Sequence, residues 1–259
     1  MGLFDKKYCD VCGAKIGLLG NRKLEDGNLC KECAKKLSPW FSDRRRSTVQ
    51  EIKDQLDYRE KNKEAVAAFC VTRTLGGRTK LLLDENAGKF MITSARDLKD
   101  SNPDVLDFSQ VTGCRIDVDE SRSEIKKDGP DGKEISYTPP RYEYSYDFNA
   151  IVNVNHPYFD EMRFRINDST IDVSSASSAG PYARQIDPRK SVDYLECERI
   201  GQEIVDALTK IRENVRQTVE KANAPKTNVV CRHCGATTTP DASGCCEYCG
   251  APVESLIKE

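Results

Sequence analysis

The chain has 259 residues, with 40 Lys or Arg against 42 Asp or Glu, a formal charge of -2, and 38% hydrophobic against 32% charged residues. That composition excludes wholesale disorder and gives no global attraction to nucleic acid, so such binding needs a local patch. No run approaches the roughly 20 apolar residues that span a bilayer, and Met1 to Lys7 lacks the apolar stretch of an export signal, so the expected compartment is the cytoplasm, with no transmembrane segment.

The first element contains Cys9-Asp10-Val11-Cys12-Gly13-Ala14 and then Cys30-Lys31-Glu32-Cys33. Two C-x2-C pairs of this kind let four thiolates close a tetrahedron around one zinc ion, and the Gly after the second cysteine lets the backbone turn toward the sulfurs. Asp26-Gly27 between the pairs suits a tight hairpin turn that returns Cys30 and Cys33 to Cys9 and Cys12. The expectation is a zinc ribbon or treble-clef-like module over residues 1–46. Its charge is locally positive, and Lys6, Lys7, Lys15, Arg22, Lys23, Arg44, Arg45 and Arg46 are the candidate nucleic-acid contacts. Trp40 is the single tryptophan and is expected to pack on this module.

Ser47 and Thr48 precede Glu51 in a capping-box pattern, and Val49, Ile52, Leu56 and Val66 recur at helical spacing, which predicts a connector helix within 47–69. From Cys70 the period becomes two. Leu81 and Leu83 fall at alternate positions, as do Phe90 and Ile92. The clearest strand runs from Arg141, with Tyr142, Tyr144, Tyr146, Phe148, Ala150, Val152 and Val154 on one face and only Ile151 out of pattern. Met162, Phe164 and Ile166 continue the alternation, so an antiparallel sheet with one apolar face is expected. Asp128 to Lys133 reads as a hairpin tip, and Ser174 to Gly180 as a flexible linker. Between Ser191 and Ala222, Ile200, Ile204, Leu208, Ile211, Val215 and Val219 form the stripe of a long amphipathic helix that covers the sheet.

The chain then reads Cys231-Arg232-His233-Cys234-Gly235-Ala236 and Cys245-Cys246-Glu247-Tyr248-Cys249-Gly250-Ala251. The spacing selects Cys231, Cys234, Cys246 and Cys249 as the second ligand set, leaves Cys245 as a spare thiol, and points His233 outward. With two zinc ions and eight thiolates the formal charge moves from -2 to about -6.

Tyr8-Cys9-Asp10-Val11-Cys12-Gly13, Gly20-Asn21-Arg22-Lys23, Asp26-Gly27 and Cys30-Lys31-Glu32-Cys33 resemble an uncharacterised bacterial family of N-terminal zinc-ribbon domains. The central element order, with Leu106-Asp107-Phe108-Ser109-Gln110-Val111-Thr112-Gly113, resembles the bacterial pleckstrin-homology-like or GRAM-like fold. The last pair of knuckles is similar to a generic zinc-ribbon tail. These resemblances imply an α+β chain: a zinc ribbon at 1–46, a connector helix at 47–69, a PH-like antiparallel sheet capped by a long C-terminal helix at 70–222, and a second zinc ribbon at 223–259.

The catalytic inventory is short. His156 and His233 are the two histidines, and neither a phosphate loop nor a nucleophile elbow is present. Asp117, Asp119 and Ser121 imitate a calcium loop, but Arg122 stands where Gly is needed. The expected function is therefore a non-catalytic cytosolic protein holding two zinc ions and acting as a protein–protein interaction adaptor. The alternatives are a nucleic-acid binder using the basic first ribbon and a lipid-headgroup or membrane-surface module.

Overall fold

The computed structural model describes residues 6–174, 187–223, 228–241 and 244–253. Most of the serine-rich stretch expected to be a linker therefore lies outside the described residues. The chain divides into two compact units, Met1–Glu213 and Asn214–Glu259. Both α and β elements are present, and the sheets are antiparallel throughout.

The first unit opens with two short hairpins, β1 (Lys7–Tyr8) with β2 (Lys15–Ile16) and β3 (Arg22–Lys23) with β4 (Asn28–Leu29), followed by helix α1 (Lys31–Lys35). The Asp-Gly step does turn the second hairpin, but its Gly serves space rather than a positive φ. A Cβ on Gly27 would lie 2.5 Å from Val49 Cγ2, and Asp26 Oδ1 accepts the Val49 N–H at 2.8 Å. The turn is thus a socket for the start of the next helix.

That helix, α2, spans Val49–Ala68 and has the expected capping box, with Thr48 Oγ1 accepting from Glu51 N at 3.2 Å and Glu51 Oε2 from Thr48 N at 2.7 Å. Ile52 is fully buried in the small core formed by Ile16, Leu24, Leu29 and Leu37, so the first turns of α2 complete the N-terminal module. Farther along, the buried stripe changes character. Gln55, Arg59 and Asn62 occupy the inward positions before Val66.

Arg59 explains why polar residues can sit there. Its Nη1 donates to Asp104 Oδ1 at 2.8 Å, its Nη2 to the Asn102 carbonyl, and its Nε to the Lys36 carbonyl at 3.2 Å. Ser38 Oγ donates to the other Asp104 oxygen at 2.8 Å, and Asn62 donates to the Pro103 carbonyl at 2.7 Å and accepts from Val105 N at 3.0 Å. The network ties α2 to the residues between α3 (Leu98–Ser101) and β8 (Val105–Asp107).

β5 (Arg73–Gly76), β6 (Lys80–Asp84), β7 (Lys89–Thr93) and β8 form one sheet in that order. The second sheet is built on β10 (Glu134–His156), with β9 (Val111–Asp128) along one edge and β11 (Phe159–Arg165) and β12 (Ile171–Ser174) sharing the other. Asp128–Lys133 is the hairpin tip between β9 and β10, where the Gly129 N–H donates to the Lys133 carbonyl at 2.8 Å.

One core joins Leu81, Leu83, Phe90 and Ile92 of the first sheet to Tyr146, Phe148, Val152 and Met162 of the second, together with Cys197, Ile204 and Leu208 of the last helix, α4 (Val192–Asn223). The alternation in β10 thus marks the core face, although Tyr142 and Tyr144 are only partly buried because the β9–β10 ribbon outruns the core. Strict alternation fails in the centre. Leu82, Met91 and Ile151 are buried on the faces opposite the core. The stripe of α4 fades beyond Ile211, and Val219 is 51% exposed.

Trp40 differs from its expected place. It packs against the main core instead of the four-cysteine module, because the Ser38 hydroxyl that bonds Asp104 also accepts the Trp40 N–H at 3.1 Å and fixes that turn toward the sheets. Among the described residues no helix is long and apolar enough to cross a membrane.

In the second unit, β13 (Val229–Val230) and β14 (Thr237–Thr238) pair as a hairpin around the first C-x2-C knuckle.

Candidate metal centres

The first centre is assembled from one knuckle and one helix start. In the knuckle, the Cys9 N–H donates to the Ala14 carbonyl at 2.9 Å and the Gly13 N–H to the Cys9 carbonyl at 2.8 Å, with Gly13 at φ 72°. A side chain would strain at that φ, which is why glycine follows the second cysteine. Cys30 is the N-cap of α1, so Cys30 and Cys33 project from the first turn of a helix. The Cys33 N–H donates to Cys30 Sγ at 3.3 Å, and the Cys30 N–H donates to Cys9 Sγ at 3.3 Å.

The second centre consists of two knuckles of the same design. The Cys231 N–H donates to the Ala236 carbonyl and the Cys246 N–H to the Ala251 carbonyl, both at 2.8 Å, and Gly235 and Gly250 take φ 73° and 69°. The repeated phrase Cys-x2-Cys-Gly-Ala therefore has a purely local geometry, the same at residues 9–14, 231–236 and 246–251.

Within each set of four cysteines all sulfurs lie within 4.8 Å of one another. Cys12 and Cys30 sulfurs are 3.7 Å apart, Cys231 and Cys249 3.6 Å, and Cys234 and Cys246 3.8 Å. A disulfide needs about 2.05 Å. A tetrahedral zinc with bonds of about 2.3 Å sets its sulfurs about 3.8 Å apart, so the donor set and its spacing both fit such an ion. Cys245 and His233 belong to neither set: His233 is exposed, while the Cys245 N–H donates to Asp241 Oδ1 at 2.8 Å and the residue forms a bridge with Pro252.

Electrostatics within each set is divided. Burial raises the Cys9 thiol, but N–H groups of Cys12, Cys30 and Val11 outweigh it and bring the thiol down to about 7. At Cys246 burial is likewise outweighed, by the Tyr248 and Cys249 N–H groups, and the thiol falls to about 6. Cys33 is pushed up by burial and by the adjacent sulfurs, whereas at Cys249 the Ala251 N–H is outweighed by burial and neighbouring thiols, which lift it to about 12. Sulfurs this close repel once ionised, and a divalent cation held there would supply the missing counter-charge.

The eight basic residues picked out as nucleic-acid contacts do not form one surface. Arg22 and Lys23 of β3 and Arg44 and Arg45 of the turn after the module line one concavity of about 650 Å³. Arg46 lines a different concavity, with Trp40, His156 and Tyr158, and sits 3.6 Å from Asp43. Lys7 and Lys15 lie on the first hairpin, with Lys6 just before it, and none of the three lines either concavity. The sequence signal for the convergence was only the run Arg44-Arg45-Arg46; that β3 meets it is a tertiary fact.

Asp117 and Asp119 do not form a cation loop. They lie on β9 and hold Arg163 of β11, at 3.1 and 3.0 Å. His156, at the end of β10, stacks on Phe159 at 4.1 Å between ring centres and meets Tyr58 edge-on at 5.0 Å.

No curated protein and no solved structure matches this chain. Residues 7–55 match a family described as a domain of unknown function (DUF4428), a span that takes in the first centre and the opening turns of α2 that close its core.

Proposed function

We propose that the chain is a non-catalytic, cytoplasmic zinc protein that works as a protein–protein interaction adaptor, with zinc in both four-cysteine centres as the folding element of its small modules. In this reading the two central sheets and α4 take a PH-like arrangement, and Cys9, Cys12, Cys30, Cys33, Cys231, Cys234, Cys246 and Cys249 are the ligands.

The observation that carries the adaptor reading is the outer edge of β9. This strand has 18 residues and pairs with β10 alone among the described residues, so its other edge has no strand partner among them. At one end the edge is occupied, since Arg212 Nη1 donates to the Thr112 carbonyl at 2.7 Å. Beyond it an extended peptide can add as a further strand, taking affinity from main-chain hydrogen bonds. The charged residues along β9 keep such an edge from pairing with copies of itself.

The non-catalytic part rests on chemistry. The hydrogen bond of His156 among the described residues is the 3.4 Å bond it accepts from the Tyr158 N–H, and its ring stacks on Phe159, which supports reading it as a packed side chain.

The test is site-specific photo-crosslinking from Asp117, Asp119 and Ser121 of the zinc-loaded chain in cells of its source. Reproducible crosslinks from these positions to one protein, mapping to an extended segment of it, support the reading. Crosslinks that arise equally from control positions, or no reproducible partner, overturn it.

A further inference from the structure

The concavity lined by Asn21, Arg22, Lys23, Glu25, Arg44 and Arg45 holds four cations and one acid. None of the four cations forms a salt bridge among the described residues. Among the described residues Arg44 Nη1 is buried without a hydrogen-bond partner, and so is Asn21 Oδ1. Among the described residues Arg22 makes only a long bond, 3.4 Å, to the Leu19 carbonyl. A guanidinium nitrogen removed from water and left unpaired is costly unless something anionic comes to it. Burial and the charges of Arg22 and Arg45 indeed hold the Arg44 group below its ordinary value.

A second, independent feature adjoins this concavity. The loop between β2 and β3 carries Leu18 and Leu19, each 89% exposed, with Gly20 alone between them and Asn21 of the lining. Single exposed leucines are ordinary on proteins, but two adjacent ones at a loop tip beside a cluster of cations form the apolar-plus-basic combination that suits an anionic bilayer surface.

We propose that the concavity binds a phosphate group and does so at a membrane surface, with Arg22, Lys23, Arg44 and Arg45 on the phosphate of an anionic lipid headgroup and Leu18 and Leu19 entering the acyl boundary. A phosphomonoester suits the lining chemically. Its oxygens complete Arg44, and its O–H, in the singly protonated form, is the donor that Asn21 Oδ1 lacks. The site lies in the N-terminal module and is independent of the β9 edge, so either reading can fail alone.

The test uses the full zinc-loaded chain in three arms: flotation with phosphatidylcholine vesicles with and without phosphatidic acid, titration with inorganic phosphate followed at the Arg44 Nε–H NMR signal, and competition by a single-stranded RNA. The expected result is flotation that requires phosphatidic acid and weakens with salt. Arg44→Gln lowers the partition by about tenfold or more, the loss of one charge-assisted contact. Leu18→Ser with Leu19→Ser lowers it by a similar factor while leaving the phosphate-induced shift of Arg44 intact. Zinc content and circular dichroism check folding, and the exposed Arg45→Gln takes the place of Arg44→Gln if that variant loses metal.

Vesicle binding that does not depend on phosphatidic acid, or that survives both arginine variants, overturns the proposal. A phosphate shift without flotation overturns the lipid source and assigns the site to a free phosphate. Binding of RNA without flotation overturns it in favour of nucleic acid.

Discussion

Removing the Arg59 side chain tests how α2 is held. The guanidinium is 7% exposed and the Asp104 carboxylate 0%, so both charges are out of water and compensate each other. Arg59→Ala leaves the carboxylate with the Ser38 hydrogen bond on one oxygen, and removes the donor to the Asn102 and Lys36 carbonyls. Breaking one side of a buried pair costs about 3 to 5 kcal/mol, a large share of the 5 to 15 kcal/mol that typically separates folded from unfolded chains. For a unit of roughly 200 residues, at about 2 to 4 °C per kcal/mol, the melting temperature should fall by about 6 to 20 °C. Calorimetry of the zinc-loaded protein measures this directly. The double variant Arg59→Met with Asp104→Leu removes both charges and should recover most of the loss. A cost for Arg59→Ala below about 1 kcal/mol, or a double variant worse than the single one, would refute the account of the network.

Three further outcomes follow from the geometry. Elemental analysis of purified chain should give two zinc ions; Cys246→Ser should lose one of them and Cys245→Ser should keep both, because only Cys246 belongs to the four-sulfur set. Gly27→Ala drives a Cβ to within 2.5 Å of Val49 Cγ2 and 2.8 Å of Asp10 Oδ2, so it should destabilise the N-terminal module by about 1 to 3 kcal/mol in thermal melts and accelerate zinc transfer to a chelator. Burial lowers the His156 value against the pull of Asp104, so the unfolded chain takes up its proton first as pH falls. Stability from this residue is intact above the unfolded value near 6.5 and declines as pH drops through it; in His156→Phe, urea midpoints across that window should fall less steeply.

Much of the local structure was legible because its causes are local. A knuckle closes within six residues and needs only two cysteines and a glycine at positive φ, so spacing alone marks Cys9, Cys12, Cys231, Cys234, Cys246 and Cys249. The helix at Val49–Ala68 announces itself through Thr48 and Glu51, and β10 through its alternating aromatic and aliphatic residues. The same logic identified Cys30 and Cys33 but not that they start a helix, since C-x2-C fits a helix N-cap as well as a knuckle.

What the sequence could not reveal depends on residues far apart in the chain. Arg59 reads as a solvated helix position until Asp104, 45 residues later, is brought against it. Trp40 turns to the main core because Ser38 is held by that same carboxylate, 66 residues away. Leu82 and Met91 break the alternation of their strands because both faces of that sheet are covered, a matter of layer order and not of propensity. The cations of β3 converge with those after the module only once the hairpin and the turn are folded together. The amino-acid sequence by itself determined where the four-cysteine sets and regular elements lie, since hydrogen bonds and φ preferences act over a few residues. Which charges are buried and which converge was decided by tertiary packing, because desolvation depends on everything that surrounds a group in space.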